Sequence, residues 1–424
     1  MSRSAAPESS SSQPASRGPL LAVMAIAMAP AVGLGVARFA YALVLPDMQA
    51  DFGWSYAEAG FPNAMNAFGY FVGAAAAGRA AGVIGSFRLL ALGGVVAALT
   101  TALSAVSVGL VSLSVLRFVA GVAGAFALVA GGAVAIAISE RAGRRASLVV
   151  SLLYAGPPFG IIVSSAVAPL ALAGGEPWSW RVAWGALGLA SALLLIPLAA
   201  PSVRKAEGDD SRAAGRPAPL RPMALILAAY CVFGAGYITY MTFMIAFLRQ
   251  GGAGTAQEAE FWCAIGLAGL AAPWLWARTL GRLKGGWGMG VATLVTTLGA
   301  VLPLFAGGFA AEILSGVVFG NGMFAATAAT TIFVRRNLAP AAWASGVGAM
   351  TVSFSLGQTV GPVLTGLVTD WFGGLTGGLA FGAALLALAA ILALCQRDLG
   401  AIEVAPAPSM ADDPAAERTL SRSA

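Results

Sequence analysis

Two arginines stand in long apolar blocks, where a charged side chain is expensive. Arg38 and Arg117 are far apart in sequence, and each is surrounded by small and aliphatic residues. If those blocks cross a bilayer, a charge near the centre costs about 2.5–3.5 kcal/mol on insertion scales, so both side chains should face a protein interior. Arg38 precedes Pro46 by eight residues and Arg117 follows Gly109 by eight. At about 1.5 Å per helical residue, both lie about 12 Å below the same surface. A guanidinium fork matches a carboxylate or phosphate, so the chemistry expected here is the capture of a small anion. Two other readings stay open. Arg38 can snorkel and pair with Asp47 or Asp51, and Arg117 can bond a backbone carbonyl and serve helix packing.

The other chemistry-bearing residues narrow the choice. The chain has no histidine, which removes the commonest metal ligand and general base and weighs against an enzyme. No metal site or cofactor is expected. Asp47, Asp51, Glu58, Glu176, Glu258, Glu260 and Asp370 fall at or beyond helix ends, and Glu312 only about one turn inside a span. Glu312 is therefore the candidate for proton coupling. Asn63, Asn66 and Tyr70 recur at helical spacing on one face, and Tyr41 shares the face of Arg38. Tyr154, Tyr237, Tyr240, Asn321, Ser353 and Gln358 complete the polar set. For the amides, interhelical hydrogen bonding competes with ligand contact; for the aromatics, packing does.

These residues need a scaffold, and the composition supplies one. Of 424 residues, 58% are hydrophobic and 10% charged, far from the balance of a soluble domain. The apolar blocks are long enough for membrane helices and lack the alternation of barrel strands. The expected fold is an all-α membrane protein of twelve helices. They fall near residues 20–45, 57–77, 88–109, 111–138, 147–172, 181–200, 223–248, 258–280, 287–307, 309–333, 341–369 and 374–395. Two six-helix bundles, 20–200 and 223–395, are joined by a polar linker at 201–222, with disordered tails at 1–19 and 396–424. Residues 20–45 read as a retained first helix, too long for a cleaved signal. Cys231, Cys263 and Cys395 lie within apolar blocks and read as reduced, buried residues.

Charge sets the orientation. All but four of the 24 Lys and Arg residues fall in the tails, the linker and the even-numbered loops; the four are Arg38, Arg117, Arg181 and Arg249. The face rich in Lys and Arg is the cytoplasmic one, which puts both termini inside a cytoplasmic (inner) membrane. The net charge of +6 is spread over these loops and forms no nucleic-acid patch.

The halves also repeat. Gly78-Arg79 and Gly281-Arg282 occupy matching positions after the second and eighth spans, as do Gly156-Pro157 and Gly361-Pro362 in the fifth and eleventh. Paired Gly-Pro steps bend helices and suit elements that rock, although a static kink would look the same. Parallel six-helix repeats, with a site near the midplane between them, are a transporter architecture.

On these features the sequence resembles the major facilitator superfamily across residues 20–395. Leu113 to Gly124, LSVLRFVAGVAG, is similar to its fourth-helix motif. Gly156-Pro157-Pro158-Phe159-Gly160 is similar to its fifth-helix Gly-Pro motif, which is associated with antiporters. Gly78 and Arg88 match the gating loop after the second helix, although Gly82 stands where the family carries Asp. Ala37 to Pro46, with Gly236-Tyr237-Ile238, resembles the bacterial YbfB/YjiJ-type branch. The resemblance implies a monomeric secondary transporter in the lipid bilayer, working on a small-molecule solute by alternating access. The residues add that this solute is anionic. Proton-coupled efflux of apolar compounds and a non-transporting sensor on the same fold are the rivals.

Overall fold

The computed structural model describes residues 18–142, 146–200, 203 and 217–400. Among them, twelve helices are long and apolar enough to cross a membrane. They are α1 (Gly18–Phe52), α2 (Tyr56–Ile84), α3 (Ser86–Val106), α4 (Leu110–Glu140), α5 (Leu148–Leu172), α6 (Ser179–Ala199), α7 (Ala224–Gln250), α8 (Thr255–Arg282), α9 (Trp287–Phe305), α10 (Phe309–Asn337), α11 (Pro340–Phe372) and α12 (Leu375–Leu394). The expected tails and linker fall mostly outside the described residues.

Packing repeats between the halves. α2 and α3 pack on α4, α3 on α6, and α1 on α5; their counterparts α8 and α9 pack on α10, α9 on α12, and α7 on α11. Across the halves, α2 meets α11, α5 meets α8, and the last part of α1 meets α7. Glycine allows these close approaches, as is common where lipid supplies no hydrophobic drive between helices. A Cβ on Gly121 would lie 2.0 Å from the Asn66 carbonyl oxygen, and one on Gly357 only 1.8 Å from that of Cys231.

α1 departs most from expectation. Pro46 does not end it; the helix runs on to Phe52 and stops at Gly53, whose φ of +66° makes a left-handed cap. Proline lacks an N–H but can kink a helix without ending it. The irregularity lies earlier. After Gly18–Pro30, residues Ala31–Val36 widen into a π-helix, in which Ala37 N donates to Val32 O at 2.7 Å and Phe39 N to Leu34 O at 3.2 Å. Residues 37–40 form a turn before helical winding resumes at Tyr41. The wide segment seats Gly35 against Gly160 and Gly33 against Gly124.

The Gly-Pro steps differ from each other. α5 is interrupted at Ala155, between helices Ala146–Tyr154 and Gly156–Leu172, whereas Trp343–Phe372 continues through Pro362. Two consecutive prolines remove two helical hydrogen bonds in α5, while one removes a single bond in α11. Cys395, expected to be buried, is exposed just past the end of α12, and all three cysteines are free.

Candidate functional site

Arg38 sits in the turn where α1 changes winding, and the extension of that helix moves it deeper. It lies fourteen residues before Phe52, about 21 Å of helix rather than about 12 Å. Tyr70 occupies the midpoint of α2 and Tyr237 the midpoint of α7. These three residues form a central layer. The Arg38 guanidinium carbon is 5.4 Å from the centre of the Tyr70 ring and 5.9 Å from that of Phe39, and its charge is felt at the Tyr70 and Tyr237 hydroxyls.

Arg38 is 3% exposed, and its Nε and Nη2 have no hydrogen-bond partner among the described residues. The two acids nearest to it in sequence are engaged elsewhere. Asp47 accepts from Arg249 Nη1 at 2.6 Å, and Asp51 accepts from Trp180 Nε1 at 2.8 Å. A buried cation without an anion is costly, and a ligand that supplies the counter-charge recovers that cost.

Arg117 has a different use. Backbone donors beyond the turn reach back only three residues, Ala42 N to Phe39 O and Leu43 N to Ala40 O. The carbonyls of Ala37 and Arg38 accept from Arg117 instead, the first from Nη1 and the second from Nη2 at 3.0 Å. The guanidinium carbon also lies 5.0 Å from the Tyr41 ring and 5.7 Å from that of Trp184. This geometry is the carbonyl-bonded reading of Arg117. It braces the irregular turn that presents Arg38.

The remaining candidates divide by what their polar atoms touch. Tyr41 donates to Ala59 O at 2.6 Å, Tyr240 shares a 2.5 Å hydrogen bond with Ser315, and Asn321 accepts from Trp276 Nε1 at 2.6 Å. Ser353 donates to Leu227 O at 2.5 Å. Glu312 lies in the first turn of α10, partly buried. Asn66 donates to Arg117 O at 2.9 Å and Asn63 to Thr242 Oγ1 at 2.7 Å, leaving each Oδ1 buried and unpaired. Gln358 Nε2 donates to the Tyr237 hydroxyl, and its Oε1 is likewise unpaired. Tyr154, 55% exposed, is the last residue before the break in α5. Arg38, Tyr70, Tyr237 and Gln358 thus form one cluster.

The gating candidates lie outside that cluster. A Cβ on Gly156 would lie 2.5 Å from Ala27 O, and one on Gly361 2.7 Å from Ala235 O. The equivalent steps of the two halves thus pack on equivalent helices. Gly78 has open space around it, and Arg88 is exposed without an acidic partner among the described residues.

A second constellation escaped the sequence reading. Arg249, at the end of α7, bridges the halves: besides holding Asp47 it donates to Glu258 from Nε at 2.7 Å and from Nη2 at 2.8 Å. Asp370, at the end of α11, accepts the backbone amides of Tyr56 and Ala57 at 2.9 and 3.0 Å. Those are first-turn donors of α2, where the helix dipole favours a carboxylate. Gln250 Nε2 donates to Tyr56 Oη at 2.6 Å. These contacts between the halves, together with that of Asn63 and Thr242, lie between the central layer and the face poor in Lys and Arg. Arg249 was visible as a basic residue on the wrong side of the charge asymmetry; its partners were not.

Twelve spans in two repeats, closed against each other at one face around a mid-membrane polar layer, define a transporter of the major facilitator fold. A family model described as "Uncharacterised MFS-type transporter YbfB" matches residues 30–394, and the chain belongs to that branch of the superfamily. No curated protein sequence matches it significantly. Its structure is similar to the nucleoside transporter NupG, with 16% identity over 89% of this chain and 98% of that one and a TM-score of 0.67. It is also similar to the inward open xylose transporter XylE from E. coli (14% identity, 88% and 95% covered, TM-score 0.67). A bacterial homolog of the human lysosomal transporter Spinster, inward-facing and occupied, aligns at 15% identity over 90% and 97%, with a TM-score of 0.66. At these identities the likeness is one of fold.

Proposed function

We propose that this transporter moves a small organic anion across the cytoplasmic membrane by alternating access of its two halves. One observation carries the reading: the buried Arg38 guanidinium, near the middle of the span, has two nitrogens without a protein partner. Arg117 supplies the brace rather than a second anion contact, since both of its terminal nitrogens bond carbonyls. Tyr70, Tyr237, Gln358 and Tyr154 complete the ligand shell, and one chain supplies it, so a monomer suffices. The Lys and Arg asymmetry supports cytoplasmic termini. The face sealed by Arg249, Asp47, Glu258 and Asp370 is then the outer one, and the conformation is inward-facing. The Gly156-Pro157 and Gly361-Pro362 steps are the flexing points, and Glu312 is the carboxyl through which a proton would be coupled.

Uptake into proteoliposomes, using labelled small carboxylates beside neutral sugars and amines, tests the reading. Saturable uptake of a carboxylate supports it. Saturable uptake of neutral solutes alone overturns it, and ligand binding without any flux replaces the transporter with a sensor.

A further inference from the structure

Tyr230, Phe233 and Tyr237 occupy one face of α7, which runs from the Lys/Arg-rich face to the central layer. Their rings form a continuous series. Tyr230 and Phe233 have centroids 5.9 Å apart at an interplanar angle of 20°, and Phe233 and Tyr237 are 5.4 Å apart at 12°. Phe354 of α11 lies over the series, 4.5 Å from Tyr230 at 15° and 5.3 Å from Tyr237 at 12°. The three α7 rings are buried, while Phe354 is only partly so. At its inner end the series reaches Tyr237, which feels the Arg38 charge and accepts from Gln358.

Packing alone does not require four nearly parallel rings. Interior aromatics also pair edge-to-face, as Tyr56 and Phe243 do here at 72°. A parallel series offers a flat face to another flat ring, and it leads to an unpaired cation. We infer that the solute is a planar aromatic carboxylate, whose carboxylate docks at Arg38 while its ring lies along the Tyr237–Phe354 wall. The inference rests on Arg38 as the anion anchor and adds the shape and π character of what is attached to the anion. The neutral end of the site is selective because a saturated ring of equal volume cannot stack.

Binding of labelled benzoate to the purified full-length protein tests this, with cyclohexanecarboxylate and benzyl alcohol as competitors. Benzoate should bind about two- to twelvefold more tightly than cyclohexanecarboxylate, the range of one aromatic pair. Phe354→Leu should bring the two acids to near parity without unfolding the protein, and Arg38→Gln should abolish binding of both. Equal affinity for the two acids in the wild-type protein, lost in Arg38→Gln, overturns the aromatic inference and leaves the anion reading intact. Absence of benzoate binding by protein that transports another anion does the same. Benzyl alcohol competing as well as benzoate, with Arg38→Gln unaffected, overturns both.

Discussion

Arg117 Nη2 donates to the backbone carbonyl of Arg38 at 3.0 Å, so one intramembrane arginine holds the chain from which the other projects. The two residues have the same charge and opposite tasks. Arg117 neutralises orphaned carbonyls at the π-to-turn transition of α1, while Arg38 keeps unpaired nitrogens in the central layer.

That division separates stability from transport. Removing Arg117 leaves two buried carbonyls without their donors, and hydrogen bonds to a charged group contribute about 1.5–3 kcal/mol each. Arg117→Ala should lower the midpoint of thermal unfolding in detergent clearly. Arg38→Gln, which removes an uncompensated buried charge, should leave it unchanged or raise it. Equal destabilisation by both variants would remove the distinction.

The sealed face makes a prediction about conformation. Spin labels at Leu170→Cys and Glu260→Cys, both exposed at the sealed ends of α5 and α8, report separation there in a background free of native cysteines. The parent protein should show mainly a short distance. Arg249→Ala, which unties Asp47 and Glu258, should add a longer population, as should Asp370→Asn. Distance distributions that superimpose on the parent would mean the ion pairs do not hold that face.

Close packing of α5 on α1 gives a third test. A Cβ on Gly160 would meet Ala31 O at 2.1 Å and Gly35 Cα at 2.7 Å, whereas Gly185 has nothing within 4 Å. Gly160→Val should destabilise by at least about 1–3 kcal/mol through overpacking. Gly185→Ala should be neutral or stabilising by about 0.5–1 kcal/mol, because it rigidifies the unfolded chain within a helical segment. A folded, fully stable Gly160→Val protein would show that α5 and α1 move apart without cost.

In the proposed function Glu312 is the coupling carboxyl. Glu312→Gln should retain exchange of the solute at equal pH on both sides and lose acceleration by an imposed pH gradient. Unchanged acceleration would move the proton to the solute itself.

Much of this architecture was legible in the sequence because apolar block length and Lys/Arg asymmetry are direct consequences of the bilayer. The α2 expectation of 57–77 and the observed Tyr56–Ile84 differ mainly at the end that leaves the membrane, where hydropathy fades before the helix does. Pro46 misled because a proline deletes one hydrogen bond, and neighbouring helices can tolerate that. Arg38 and Arg117 were indistinguishable by residue type and expected depth. Their roles diverged only because the π segment releases carbonyls beside one of them. The latch was invisible for another reason: Arg249 meets Asp47 across 202 residues, a pairing that local periodicity does not encode. The spacing of Tyr230, Phe233 and Tyr237 could have been read as a helical stripe, but Phe354 joins them only in the fold.

Anchoring of the anion by Arg38 is tested most directly by anion uptake into proteoliposomes containing Arg38→Gln, compared with wild-type protein at matched, verified levels of folded protein. Uptake at low solute concentration should fall by at least about tenfold, equivalent to about 1.4 kcal/mol of lost anion contact, with no fall in thermal stability. Uptake at the wild-type rate by that variant would contradict that anchoring.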